Sequence, residues 1–156
     1  MAKNDLSIMV GDYKLNVRCC AFIKKEGKVL LEANDLTDYL VPVGGRCEAG
    51  EDSLSALVRE IEEETGTKVS KEDARLIGLV ENFFSLDNKN YHEYLFLYEV
   101  NGKAFKNFDN IEVLDHPGEH ESWYDLDKVE DLSIQPACVK DMINSSEFKH
   151  IINKDK

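Results

Sequence analysis

Proline, cysteine pairs, cationic side chains and long apolar runs are all scarce in this chain. Only three of its 156 residues are Pro and nine are Gly, and 42% are hydrophobic, so disorder is not expected. A chain of this length favours one compact domain, here 1–156, with room for a real core. Cys19, Cys20, Cys47 and Cys138 form no C-x-x-C pair and meet no His at zinc-ligand spacing. That excludes a zinc site and a disulfide framework and fits the reduced thiols of a cytoplasmic protein. No run approaches the roughly 20 apolar residues of a membrane helix, and Met1 to Tyr13 has no apolar signal core, so neither membrane insertion nor secretion is expected. Lys and Arg total 19 against 31 Asp and Glu, a net charge of -12. Such a chain repels nucleic acid and anionic membrane, and a polyanionic substrate would need a cation to bring it in. Most of the carboxylates need do no more than keep the protein soluble.

What is present reads as a sheet protein with one clear helix. Leu15 to Ile23 and Lys28 to Glu32 flank a Gly-containing turn and predict a hairpin. Ala74 to Phe84 and Tyr91 to Val100 predict a second hairpin around the polar stretch Ser85 to Asn90. Tyr39 to Val43 is a short apolar run ended by Gly44 and Gly45. Residues 101–120 read as a loop region before a short strand at Ser122 to Leu126, and Ala137 to Ile143 as a helix with Pro136 in its first turn. The charged last residues read as frayed. Between the hairpins, Leu54, Leu57, Val58 and Ile61 fall at helical spacing, with Asp52 placed to cap the start and Gly66 to end the helix in a left-handed conformation.

Glu60, Glu63 and Glu64 stand at i, i+3 and i+4 and should share a face distinct from the apolar one. They crowd the C-terminal turns, where the helix dipole favours cations, and each i,i+4 like-charge pair costs about 0.2 to 0.5 kcal/mol. A solvated acidic face with Arg59 paired to Glu63 is the bland explanation. The alternative is a site for a hard divalent cation, which clustered carboxylates on one rigid helix supply at fixed spacing. Gly44 and Gly45, just upstream, either form a tight turn or let backbone approach a ligand.

These residues together read Gly45, five residues, Glu51, seven residues, then Arg59-Glu60-Ile61-Glu62-Glu63-Glu64-Thr65-Gly66-Thr67. The pattern resembles the Nudix box, G-x5-E-x7-R-E-U-x-E-E-x-G-U with U a bulky aliphatic, and departs from it only at Thr67. Pro42-Val43-Gly44-Gly45 also has one residue between Pro and the Gly pair, where many members have none. The box covers 23 residues, and the order of strands and helix around it extends the likeness to most of the chain.

The resemblance implies an α+β fold with mixed β-sheets sandwiched between helices, and hydrolysis of a phosphoric anhydride in a nucleoside diphosphate linked to another moiety, as in MutT-like enzymes. It implies Mg²⁺, with Mn²⁺ as the alternative ion. Glu60, Glu63 and Glu64 would be the metal-binding and catalytic carboxylates, Glu60 also orienting or deprotonating the attacking water, with the Gly44 carbonyl as a further ligand. Gly45, Glu51, Arg59 and Gly66 would shape the motif, Glu51 and Arg59 by holding loop to helix. Members often recruit one more carboxylate from a later segment; Glu119, Glu121 and Glu93 are the candidates, and Glu119, after Pro117-Gly118, is preferred. The run Glu81-Asn82-Phe83-Phe84 with His92-Glu93 is similar to a bacterial subgroup. Phe83, Phe84 and Tyr91 could stack on a base but are read as packing residues, as is Trp123; His92 and His120 are read as structural. A small nucleotide-type substrate is expected, with no membrane partner, and a homodimer is compatible with the sequence. The competing reading is a nucleotide-sensing module of the same fold that does not cleave; intact Glu60, Glu63 and Glu64 argue for the enzyme. A third, an acidic interaction protein without a site, leaves the spacing unexplained.

Overall fold

The computed structural model describes residues 4–114, 116–145 and 147–155. In chain order it has β1 (Ser7–Val10), β2 (Tyr13–Lys25), β3 (Lys28–Asn34), β4 (Leu40–Arg46), α1 (Ser53–Thr65), β5 (Ala74–Leu86), β6 (Lys89–Asn101), β7 (Ile111–Glu112), β8 (Glu119–Asp125), α2 (Ala137–Lys140) and β9 (Lys149–Lys154). The strands form one mixed sheet in the order β7-β8-β3-β4-β2-β6-β5-β9, with β1 paired to the start of β2. Among the described residues no helix is long and apolar enough to cross a membrane.

Both expected hairpins are present, and each closes on two residues. Glu26 and Gly27 have φ of 48° and 80°, and Asp87 and Asn88 have 52° and 65°. Two successive positive φ values match the right-handed twist of the flanking strands, so the strands continue further toward each turn than composition suggested.

β2 sets the layering. Its odd residues Cys19, Ala21 and Ile23 pack with Leu57 and Ile61 of α1, whereas Cys20 and Phe22 pack on the opposite face with Val139, Met142 and Ile143. Period-two alternation in a strand covered on both faces produces two apolar layers from one run. β4 is antiparallel to β3 through Leu40–Pro42 and antiparallel to β2 through Val43–Arg46, while β2 and β3 are antiparallel to each other. Three mutually antiparallel segments cannot lie in one flat sheet, so the sheet bends where β4 changes partner, at Pro42 and Val43.

Several expectations need correction. The segment 101–120 is not all loop: it contains β7 and the first two residues of β8, so Glu119 starts a strand. The helix expected over 137–143 is regular only through Lys140; turns then carry Met142 and Ile143 into the core. The charged C-terminus is not frayed, because β9 pairs in parallel with β5 and Ile151 packs on the second layer. Backbone pairing to an otherwise open edge overrides the polar composition of that segment.

Candidate active site

α1 is bounded as its sequence predicts. Asp52 Oδ1 accepts from the Ser55 N–H at 2.8 Å, and Gly66, with φ of 73°, donates its N–H to the Glu62 carbonyl at 2.9 Å. The acidic residues do not share one face. Glu64 follows Leu57 by seven residues, two turns with a drift of only about 20°, so it projects beside Leu57 and Ile61 toward the sheet. It is 7% exposed, and Glu63 is exposed. The expectation that Glu60, Glu63 and Glu64 are distinct from the apolar face fails for Glu64, because it continues the buried stripe.

In that buried position Glu64 meets Glu32 of β3 and Glu121 of β8, which are cross-strand partners. One oxygen of each lies within 4.8 Å of the others. Glu121 is 0% exposed. Glu32 Oε1, Glu64 Oε2 and both oxygens of Glu121 are buried without a hydrogen-bond partner. Burial raises the Glu64 pKa, and the charges of Glu32 and Glu121 raise it further; Glu121 and Glu32 are raised by burial as well. Three carboxylates cannot all be charged in so small a dry volume unless a cation neutralises them. The sequence reading missed Glu32. The signal was its parity: it stands two residues after Leu30, on the inward face of β3.

The other motif residues surround Arg59. Its guanidinium donates to Glu51 Oε1 at 2.6 Å and Oε2 at 3.2 Å, to Glu60 Oε1 at 3.0 Å, to Glu63 Oε2 at 3.1 Å and to the Arg46 carbonyl at 3.2 Å. Glu51 Oε1 also accepts from the Glu48 N–H at 2.9 Å. This fork ties the loop after β4 to the helix by charge-assisted bonds and holds the Glu51 carboxyl below its ordinary pKa. Glu60 is held above its ordinary value by burial, which outweighs the attraction of Arg59. Its carboxylate lies over Gly45, whose missing side chain leaves it room.

Gly44, Gly45, Glu60, Glu63, Glu64 and Glu119 all line one cleft of about 980 Å³, together with Glu32 and Arg18. Glu119 stands there half-buried, its Oε1 accepting from Asn34 Nδ2 at 3.5 Å, and outside the Glu32–Glu64–Glu121 cluster. Glu93 is buried on β6 opposite Asn16 and Asn82 and does not line the cleft. A second cleft of about 560 Å³ has its four cations engaged: Lys24 and Arg75 with Glu99, Lys25 with the Phe105 carbonyl and Lys103 with Asp73. Phe84 and Tyr91 stack on each other at 4.7 Å, and Trp123 packs edge-on to Phe105 at 5.5 Å, consistent with packing roles.

Comparison with known proteins agrees with this architecture. No curated protein matches the chain by sequence. Among solved structures, the mutator MutT protein from Bacillus halodurans superposes with a TM-score of 0.68 at 23% identity, covering 86% of each chain. A MutT NUDIX hydrolase from Burkholderia pseudomallei gives 0.64 at 21% identity over 84% of this chain and 98% of that one. An ADP-ribose pyrophosphatase from Streptococcus suis gives 0.51 at 16% identity over 88% and 98%. The family model described as NUDIX domain matches residues 12–142, nearly the whole sheet with α1 and the carboxylate cluster, and the chain therefore belongs to the Nudix family of hydrolases, which are generally pyrophosphohydrolases of nucleoside diphosphate derivatives.

Proposed function

We propose that this protein hydrolyses a phosphoric anhydride bond in a nucleoside diphosphate linked to another moiety, with Mg²⁺ as its cation and Mn²⁺ as a substitute. The observation that carries the reading is the convergence of Glu64, Glu32 and Glu121 from three elements, with four buried carboxylate oxygens lacking any partner. Hard divalent cations take oxygen ligands of this kind. When bound, the cation supplies charge neutralisation at the diphosphate and a lowered pKa for water.

Glu64 of α1 with Glu32 and Glu121 of the sheet would hold the ion, with Glu60, Glu63 and the Gly44 carbonyl lining the same cleft and Glu119 as a further carboxylate of it. Glu60, whose burial favours proton uptake, would accept a proton from the attacking water at its carboxylate. Arg59 would fix that carboxylate in place. The motif holds no positioned Ser, Cys or His nucleophile, so direct attack of water on phosphorus is the expected route. Apolar layers on both faces of the sheet support reading the layering as the helix–sheet–helix sandwich.

The test is a panel of nucleoside triphosphates, nucleoside diphosphate sugars, dinucleotides and capped RNA with magnesium, repeated with EDTA and in ¹⁸O-labelled water. Turnover lost with EDTA and label in a phosphate product are expected. Full activity in protein shown to be metal-free, or label only in the non-phosphate product, would refute the reading. Binding without turnover across the panel would indicate a nucleotide-sensing module instead.

A further inference from the structure

The cleft contains seven carboxylates and three arginines, a balance that repels a phosphate except where a cation is free to receive it. Arg59 is committed to Glu51, Glu60 and Glu63. Arg46 lies 3.6 Å from Asp5 with its side chain 40% exposed. Arg18 differs from both: its side chain enters no hydrogen bond and no ion pair within 4.0 Å among the described residues. It is half-buried on β2, a strand hydrogen-bonded there to β4 on one side and β6 on the other, so its backbone cannot swing away.

We infer that Arg18 is a substrate-binding residue that receives a phosphoryl oxygen of the diphosphate. This rests on the hydrolase reading above and adds the group that positions the anion. The chemistry favours a phosphate: a guanidinium has donors only, in a planar fork that matches phosphate oxygens two at a time. Burial would lower the Arg18 pKa, but neighbouring negative charge, that of Glu93 foremost, outweighs that and raises it, so the side chain stays charged while its donors stay uncommitted. Glu93, buried and two positions from the arginine's cross-strand partner Leu95, is then a positioning residue that keeps a cation beside an acidic cleft.

The experiment is calorimetric binding of inorganic pyrophosphate to the full chain with magnesium, in wild type, Arg18→Gln and Arg18→Lys, alongside thermal unfolding and the hydrolysis panel. Arg18→Gln should weaken pyrophosphate by about tenfold or more, and Arg18→Lys, which keeps the charge but loses the fork, by less. In hydrolysis the loss should appear chiefly in KM. If Arg18 serves only to neutralise Glu93, Arg18→Gln will lower the Tm, Arg18→Gln with Glu93→Gln will restore it, and pyrophosphate affinity will not move; that result overturns the inference. Wild-type protein that binds no pyrophosphate also overturns it. Pyrophosphate binding through Arg18 with no hydrolysis of any panel member would support the anion site and refute the hydrolase reading alone.

Discussion

Gly45 lies beneath the carboxylate of Glu60: a side-chain carbon built on Gly45 would stand 2.5 Å from Glu60 Cδ and 2.6 Å from its Oε2. At Gly44 the same carbon would stand 2.0 Å from the Cys19 carbonyl oxygen and 2.6 Å from the Cys20 Cα. The first obstacle is the end of a flexible side chain and the second is backbone. Gly45→Ala should therefore displace Glu60 and reduce turnover by about a hundredfold at nearly unchanged stability. Gly44→Ala should cost about 1–3 kcal/mol or more of stability by forcing β2 and β4 apart. Denaturant midpoints with steady-state rates for both variants decide the matter; a fully active Gly45→Ala would contradict it.

Replacing Glu64 by Gln removes a charge from the buried triad with little change of volume. Turnover should fall at least about a hundredfold and Mn²⁺ affinity, read by electron paramagnetic resonance, should fall with it. Glu121→Gln should weaken Mn²⁺ binding in the same direction. Glu63, exposed and bonded to Arg59, should cost less metal affinity when changed to Gln. Equal Mn²⁺ binding in wild type and Glu64→Gln would remove the triad from the metal site.

The triad also sets a pH dependence for the metal-free protein. Burial raises Glu64 above its ordinary value of 4.5 and pushes Glu121 up to about 8, so the folded chain binds more protons than the unfolded chain in that interval. Stability is then greatest below 4.5 as far as these groups are concerned and is lost as pH rises toward 8. Saturating magnesium should offset the loss by replacing the protons. A Tm series across this range should slope downward in the apo protein and less steeply in Glu64→Gln; identical slopes would refute the role of the triad.

Arg59→Lys keeps the charge but not the fork. A lysine ammonium cannot satisfy Glu51, Glu60 and the Arg46 carbonyl together, so the loop after β4 should loosen at a cost of about 1–3 kcal/mol. The check is a shift of the urea midpoint at constant m-value. Faster hydrogen exchange confined to residues 46–51 would accompany it.

Much of this molecule was legible beforehand because its signals are local. The α1 boundaries follow from Asp52 and Gly66, the hairpins from alternation and turn residues, and the Arg59–Glu51 fork from the resemblance to the Nudix box. β9 was not legible, since a polar, charged segment becomes a strand only when a partner edge exists, and β5 supplies it. The early end of α2 at Lys140 is of the same kind: Met142 and Ile143 are drawn into the layer over the sheet.

The candidate site divides along the same line. Sequence alone determined the acidic motif, the helix that carries it and the family, because each depends on residues within one continuous stretch, Gly45 to Thr67. Only the tertiary structure decided which carboxylates converge. Glu32, Glu64 and Glu121 are far apart in the chain and meet because β3 and β8 pair in a register that sets Glu32 opposite Glu121, and α1 lays its buried stripe across them. A shift of one residue in the pairing of β8 with β3 would turn Glu121 to the face opposite Glu32. That choice is made by the packing of the whole sheet, which no local spacing encodes.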